Sequence, residues 1–300
     1  MHSIEIRLFR RSDRDQLTGL VNQHVQAVVP AIGVSVNALM SQLEREPDEA
    51  IVDPWVVERT TLVAVERDAI VAGAHLLRYS DDDRVSESYR GVAEIRWLVC
   101  GHDATDAGDA LAAACLAAMN AWGAERQYAD GSLPAPFVYG VPASWPHIRA
   151  LYERAGFVHD GRVEILLVAK VEDLPTPADP PLPGLELRRT LGMWPRFAAM
   201  LGEERIGYVE IDTSVGGRSS LSRVADWADV GNLFVREADR RKGVATWLLG
   251  HAAEWLRLGE VSRLVTYATP DEEAELAFDA SVGFRELVRT ERGWRRTPPG

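Results

Sequence analysis

Apolar and polar positions alternate with a period of two along residues 3–10, SIEIRLFR, and the stretch reads as a strand. It gives way to SDRDQLTGLVNQHVQAVV, where a Ser/Asp start precedes apolar residues at helical spacing. A second helix is expected over residues 36–45. TTLVAVERD, AIVAGAHLLRY and GVAEIRWLVC then read as a meander of strands with short turns. An Ala-rich helix is expected over 106–122, a short strand at PFVYGV, a helix around 147–154, and two closing strands in GFVHDGRVEILLVAKV.

The same order returns further along in shorter form. GLELRRT is a first strand, PRFAAMLGE and RIGYVEID a hairpin, and VGNLFVRE a fourth strand. A helix over 243–257, a strand RLVTYAT, a helix over 271–280 and a last strand from GFRELVRT complete the copy. Both halves run strand, meander, helix, strand, helix, Gly-Phe, strand, so the chain reads as a duplicated unit. The two-helix segment at 12–45 of the first copy has shrunk to LGMW in the second. Between the copies lies LPTPADPPLPG, residues 174–184, whose five prolines favour an extended linker. The expected domains are 1–173 and 185–300, joined by 174–184.

Composition narrows the function classes. At 300 residues with 46% hydrophobic content, each half can bury a core. The formal net charge of −12 argues against binding nucleic acid or an anionic membrane. The two cysteines, Cys100 and Cys115, form no CxxC and no metal-ligand cluster, so no metal is expected, and Cys115 reads as a buried small residue. No basic start followed by an apolar run marks a signal peptide, and no apolar stretch approaches membrane-spanning length. A soluble cytoplasmic protein, monomer or homodimer, is the expectation.

The most informative stretch is NLFVREADRRKGVATWLL, residues 232–249. Leu233 and Val235 point to one side of a strand and Phe234 to the other. Ala245, Leu248, Leu249, Ala252, Trp255 and Leu256 form one stripe on the helix that follows. The first N–H groups of that helix point out of its positive end, where small residues at Gly243 and Ala245 let a diphosphate approach. Arg240, Arg241 and Lys242 add charge, and Thr246 adds a hydroxyl.

This L-x-V-x-x-x-x-R-x-x-G-x-A pattern, with Gly283-Phe284 closing the next helix, closely resembles the cofactor motif of the GNAT-type N-acetyltransferase superfamily. The resemblance covers essentially the whole chain as two tandem copies. It implies an α/β (α+β) fold class: two GNAT-like domains, each a twisted, mixed, mainly antiparallel sheet flanked by helices. It implies acetyl-CoA as co-substrate, with the backbone of Leu233, Phe234 and Val235 holding the pantetheine arm and polarising the acetyl carbonyl. Arg240, Arg241, Lys242, Gly243, Val244, Ala245 and Thr246 would hold the pyrophosphate. Glu237 stands where the family often has proline.

The matching window of the first copy, TDAGDALAAA, keeps Gly108 and Ala110 but replaces the arginine by Thr105 and introduces Asp106 and Asp109. Carboxylates beside a diphosphate repel it, so this turn reads as degenerate. Tyr152, in HIRALYERAGF, falls on the tyrosine that in the family protonates the departing thiolate; with no basic turn beside it, it reads as a packing residue. The second copy has Asp279 in that position, and an exposed Asp would be ionised and useless as an acid. Glu210, Asp229, Tyr267 and Ser281 remain as proton-handling candidates, with Glu210 and Tyr267 first among them.

The implied function is acetyl transfer from acetyl-CoA to a primary amine of a small molecule or peptide, by direct attack in the second domain. A mycothiol synthase-like tandem acetyltransferase is a more specific member of the same class. A non-catalytic acyl-CoA binding or sensing protein is the rival, favoured by Asp279. Loss of the two-helix segment is expected to leave the second acceptor cleft open, with the first domain serving as its wall.

Overall fold

The computed structural model of the chain describes residues 3–30, 32–45, 53–135, 137, 139–192, 194–213 and 226–298. The first half carries β1 (Glu5–Leu8), α1 (Arg14–Val28), α2 (Val36–Glu44), β2 (Val56–Glu66), β3 (Ala69–Tyr79) and β4 (Val92–Cys100). It continues with α3 (Thr105–Ala121), β5 (Arg126–Ala129), β6 (Val141–Pro142), α4 (Pro146–Arg154), β7 (Val158–His159) and β8 (Val163–Lys170). The second half carries β9 (Leu185–Leu191), β10 (Pro195–Leu201), β11 (Glu204–Asp212) and β12 (Trp227–Val235). After these come α5 (Val244–Leu258), β13 (Arg263–Ala268), α6 (Glu273–Ser281), β14 (Arg285–Glu291) and β15 (Trp294–Arg296).

The expected order of elements is present with one displaced strand. PFVYGV does not form the fifth strand: Phe137 and Gly140 have φ of 68° and 85°, a left-handed backbone that no strand accommodates. Pro136 and Val138 of that stretch lie outside the described residues. The strand is instead β5, which begins as soon as Gly123, at φ 70°, has ended α3. β5 pairs parallel to β4, Val92 opposite Arg126 through Ile95 opposite Ala129. Its sequence, RQYA, is polar, although Gln127 and Ala129 are buried, and this is why hydrophobic alternation overlooks it.

The two halves repeat one frame. β4 and β12 both span nine residues. β4 is bulged at Arg96, where the register against β3 slips between His75 and Leu76. β12 is bulged at Gly231, where the register against β11 slips between Glu210 and Ile211. Each bulge falls at the fifth residue of its strand. β12 pairs parallel to β13 from Trp227 opposite Arg263 to Asp229 opposite Val265, as β4 pairs with β5. A β-bulge sharpens the local twist and re-aims the residues around it.

The closing strands are exchanged. The first sheet runs β1-β2-β3-β4-β5-β15-β7, so the strand between β5 and β7 comes from the far end of the chain. In the second sheet, β8 from the first half lies between β14 and β13, and β13 is followed by β12, β11, β10 and β9. β8 pairs antiparallel to β13 from Ala268 opposite Ile165 to Arg263 opposite Lys170. The compact units accordingly divide the chain otherwise than the proline-rich segment does. One unit holds residues up to Glu164 and those from Val288 onward, and the other runs from Ile165 to Leu287. This exchange is a long-range pairing that no local pattern encodes.

In the first unit Trp294 is 1% exposed, its ring 5.8 Å from Tyr152 and 5.0 Å from His159. Replacing a buried indole by alanine costs about 3–5 kcal/mol. Trp294→Ala is therefore expected to lower the urea midpoint of the first unit as strongly as a central core substitution would, despite its place near the C-terminus. A chain of residues 1–173 alone, which lacks β15, should not unfold cooperatively; a sharp transition from that fragment would contradict the exchange.

Candidate active site in the second unit

Because β12 and β13 stop pairing at Asp229 and Val265, the rest of β12 parts from its neighbour. The gap is a cavity of about 250 Å³ walled by Asn232 and Leu233 of β12, Thr266 and Tyr267 of β13, and Phe278 and Asp279 of α6. Leu233 faces this cavity and Val235 is buried, while Phe234 is 43% exposed on the other face. The alternation expected from the sequence is present.

The chain leaves β12 through a short 3-10 turn, Glu237–Asp239, and enters α5 through two left-handed residues. Arg241 has φ 59° and Gly243 φ 83°. The first hydrogen bond of the helix runs from the Trp247 N–H to the Gly243 carbonyl at 3.0 Å. The N–H groups of Val244, Ala245 and Thr246 therefore have no intrahelical acceptor and sit at the positive end of the helix. Arg240 steadies the turn by donating its Nε–H to the Val235 carbonyl at 3.0 Å. Asp239 is buried and accepts from Arg236 Nε at 2.6 Å and Lys242 Nζ at 3.2 Å. The Arg236 hydrogen bond, foremost, holds its carboxyl below the ordinary range. Lys242 is thus tied to an aspartate of the turn, whereas Arg241 and Thr246 are exposed.

The proline-rich segment is no free linker here. Arg257 donates to the Leu174 carbonyl at 2.7 Å, and Trp247 Nε1 donates to the Ala178 carbonyl at 3.1 Å. A Cβ on Gly250 would stand 2.9 Å from the Thr176 carbonyl oxygen, and one on Gly243 would stand 3.3 Å from Pro181. Residues 174–181 therefore run antiparallel along α5, from its C-terminus to its N-terminal turn. This corrects two expectations. Gly243 is required by its backbone angle and by Pro181, in addition to any approach of phosphate. The buried face of α5 also includes Val244, Trp247 and Ala253, since the strap covers a side beyond the expected stripe, while Ala245 and Trp255 are only half-buried.

Of the candidate proton-handling residues, the structure brings Tyr267 and Asp279 to the cavity. Glu210 lies elsewhere, on the sheet face away from α5, where Arg196 holds it with Nε at 2.7 Å and with a second guanidinium nitrogen. Asp229 stands at the last paired position of β12, and the Ser281 hydroxyl donates to the Phe278 carbonyl at 2.6 Å. Asp279 departs most from expectation. It is 8% exposed, and burial, helped by Glu275, pushes its carboxyl up to about 7. The exposure expected of this aspartate is wrong because α6 turns that position inward.

The sheet face that the missing helices leave bare has a cover of its own. In the first unit a Cβ on Gly73 of β3 would stand 2.6 Å from Leu17 of α1, so the helix lies directly on the strand. The matching position of β11 is Tyr208, whose ring lies 5.0 Å from the Arg196 guanidinium and 4.9 Å from that of Arg205. Asn232 donates to its hydroxyl at 2.9 Å. Ala198 opposite it and Met200 stay at 5% and 6% exposure, so this stack shields apolar surface that a helix shields elsewhere.

In the first unit the equivalent gap is filled. α3 starts at Thr105, and the Gly108 N–H already bonds the Ala104 carbonyl at 2.9 Å, so helix replaces turn. A Cβ on Gly108 would meet Leu151 of α4 at 2.6 Å. Asp109 is paired with Arg154 at 2.8 Å. His147 donates Nε2–H to the Cys100 carbonyl at 3.2 Å, and His24, with Nε2 3.0 Å from that carbonyl and Nδ1 3.0 Å from the Leu20 carbonyl, donates to one of the two when neutral. Burial pushes both imidazoles down, His147 to about 4, so both are neutral donors at physiological pH. Tyr152 is fully buried against Trp294 and Phe157, in keeping with a packing role.

Residues 165–284 match the Acetyltransferase (GNAT) family, a span that lies within the second unit. Across 99% of the chain the fold is that of a tandem GNAT protein from the clavulanic acid biosynthesis pathway, whose whole length is covered, with TM-score 0.67 and 16% identity. A GCN5-related N-acetyltransferase from Sphaerobacter thermophilus aligns over 99% of this chain and 96% of its own, with TM-score 0.63 and 13% identity. A glucosamine N-acetyltransferase region in a fungal multi-domain beta-N-acetylglucosaminidase aligns with 98% of this chain, at TM-score 0.66 and 15% identity, and the chain spans 38% of that protein. No curated protein matches. At such identities the structural likeness speaks for fold. The family match itself is confined to residues 165–284, and the rest of the chain shares the fold alone. Over its length the chain has the fold of the tandem members. Among the described residues no His, Cys, Asp and Glu group is arranged to hold a metal, and no helix is long and apolar enough to cross a membrane.

Gly250→Ala places a methyl group against the strap's backbone at Thr176, and overpacking of this kind costs about 1–3 kcal/mol. The variant is expected to melt lower and to be cut faster by protease within 174–184 than the parent chain. Unchanged protection would show that the strap is not held by α5.

Proposed function

We propose that the second unit transfers an acetyl group from acetyl-CoA to a primary amine of a small molecule or peptide, by direct attack of the amine on the thioester. The observation that carries this reading is the continuity of two features. The N–H groups of Val244, Ala245 and Thr246 open at the α5 terminus, and the unpaired edge of β12 leads from there into the cavity. Those amides, with Arg240 and Arg241, would hold the pyrophosphate, since free N–H groups at a positive helix end favour an anion. Lys242 would add less than its charge suggests because Asp239 already neutralises it.

The backbone of Leu233, Phe234 and Val235 would hold the pantetheine arm in the manner of an added strand. The same backbone would donate to the thioester carbonyl, where negative charge develops during attack. Tyr267 lines the cavity and would orient the amine. Glu210, paired with Arg196, would meet the acceptor only as part of that ion pair and would not touch the thioester. In this reading residues 1–173 carry a degenerate turn and bind no acetyl-CoA, because helix, Leu151 and the two histidines occupy its place.

Charged hydrogen bonds contribute about 1.5–3 kcal/mol each, so Arg241→Ala should weaken coenzyme A binding by about 10- to 100-fold. Asp106→Ala, at the exposed start of α3, should leave it unchanged. Isothermal calorimetry with coenzyme A measures both, and thiol release from acetyl-CoA with a panel of primary amines tests transfer. Equal losses in the two variants, or tight binding with no turnover on any amine, would count against the proposal.

A further inference from the structure

Acetyl transfer from a thioester ends with a thiolate that must take up a proton. Several cavity side chains could in principle supply it, and the structure separates them by what each already does. The Asn232 amide is spent on the Tyr208 hydroxyl. Glu275 shares a hydrogen bond with Glu272 and lies within the field of Arg240 at the mouth of the phosphate turn. Thr266 and Tyr267 carry hydroxyls on β13. Asp279 differs from all of these. It is 8% exposed, borders the cavity, and its carboxyl makes no hydrogen bond or ion pair with a described residue.

An uncommitted carboxyl with little exposed surface is unfavourable for the fold, since its charge is unpaired and poorly solvated. Its surroundings explain how it persists. Phe278 and Phe284 close the cavity around it, and Glu275, one helical turn earlier, is the charged group facing it from its own helix. β12 and β13 contribute Asn232, Leu233, Thr266 and Tyr267 to the same cavity, and no acidic or basic side chain. Burial first, and Glu275 second, thus push the carboxyl up to about 7.

The backbone fixes this placement. The Phe284 N–H bonds the Asp279 carbonyl at 2.9 Å, just as the Phe157 N–H bonds the Tyr152 carbonyl at 3.0 Å in the first unit. In each helix the residue lies two before the last helical position. The same frame seals a phenol in the first unit and turns a carboxyl to an open cavity in the second.

We propose that Asp279 is the proton donor to the departing thiolate. This rests on the transfer reaction proposed above. The amine nitrogen forms its bond to the acetyl carbon, and the electron pair of the breaking C–S bond stays on sulfur. Sulfur then takes the carboxyl proton of Asp279, giving coenzyme A as the free thiol and Asp279 as the carboxylate. The second proton of the new ammonium centre goes to solvent, and solvent returns one to Asp279 once the thiol has left.

The sign of the pH effect follows. The acid works only while protonated, so its contribution is present below about pH 7 and falls away as pH rises through that value. The acceptor must be a neutral amine, which gains with pH. The two requirements give a bell-shaped profile whose alkaline limb belongs to Asp279.

The test uses the full chain, acetyl-CoA and the amine panel, with thiol release followed across the neutral pH range. Asp279→Asn should lower kcat by about 10²- to 10⁴-fold and abolish the alkaline limb, while coenzyme A affinity stays as it was. Asp279→Glu should recover part of the rate. An Asn variant with unchanged kcat and an intact alkaline limb overturns the assignment.

A second measurement does not depend on an acceptor. A folded-state carboxyl raised above its unfolded value supports stability below the unfolded value and loses that support as pH rises through the folded one. The melting temperature of Asp279→Asn should therefore gain on the parent chain as pH rises from acid through about 7. A difference that does not change with pH overturns the proposal. Coenzyme A binding without turnover on any amine would instead refute the transfer reaction, and the melting comparison would still report on the acid.

Discussion

Two parallel strands that pair over three positions and then separate are the constraint on which the second unit depends. Had β12 and β13 continued in register beyond Asp229 and Val265, the edge of β12 would be spent on sheet hydrogen bonds and no cavity would exist. The bulge at Gly231 turns the strand just past the last pair, and the freed end of β12 runs directly into the turn before α5. The free strand edge and the cavity beside α6 are therefore consequences of one departure from regular pairing, and the turn at 240–246 follows directly in the chain. The strap along α5 braces the turn from behind, where Pro181 meets Gly243.

The first unit shows that the frame alone does not make a site. Its β4 carries the same bulge and the same short parallel pairing with β5. Yet the backbone edge so exposed is covered: two histidine rings lie against the Cys100 carbonyl, and α3 runs on through the region where α5 has its turn. The difference lies in a few positions. Where Arg240 anchors a non-helical loop to Val235, the first unit has Thr105 as the first residue of a helix. Read from sequence, the carboxylates Asp106 and Asp109 are the obstacle, but Asp109 is already compensated by Arg154. Geometry, more than repulsion, closes that gap.

How much of this is legible in the sequence follows from the range of the interaction concerned. The turn at 240–246 is legible because a left-handed backbone and free helix amides impose a local spelling, arginine and glycine at fixed spacing before an apolar stripe. The helices and most strands are legible for the same reason. β5 is not, because a strand buried within a sheet can carry Arg, Gln and Tyr when neighbours satisfy them, as Asn120 and Arg296 satisfy Gln127. The exchange of β8 and β15 is illegible in principle: either closing strand has the composition to fit either sheet, and the choice is made by chain-distant partners. The proline-rich strap misleads for a related reason. Its prolines do specify extended backbone, but only Gly250 and Trp247, more than sixty residues away, make that backbone a packed element.

Asp279 joins these lines of reasoning. Read along the chain it is a carboxylate in place of a phenol, and the reference behaviour of aspartate makes it unsuited to give up a proton near neutrality. Its behaviour is set by which way α6 faces, and that is fixed by Phe284, whose N–H closes the helix on the Asp279 carbonyl and whose ring is 6% exposed. The Gly-Phe pair that marks the end of α6 in the sequence is thus also what buries the acid one turn before it. Glu275, spaced one helical turn from Asp279, adds the like charge that an ordinary surface helix would place toward water. The same four-residue spacing that makes α6 look like an acidic solvent-facing helix makes its inner edge a proton store. The two readings are separated by the direction of a single helix face.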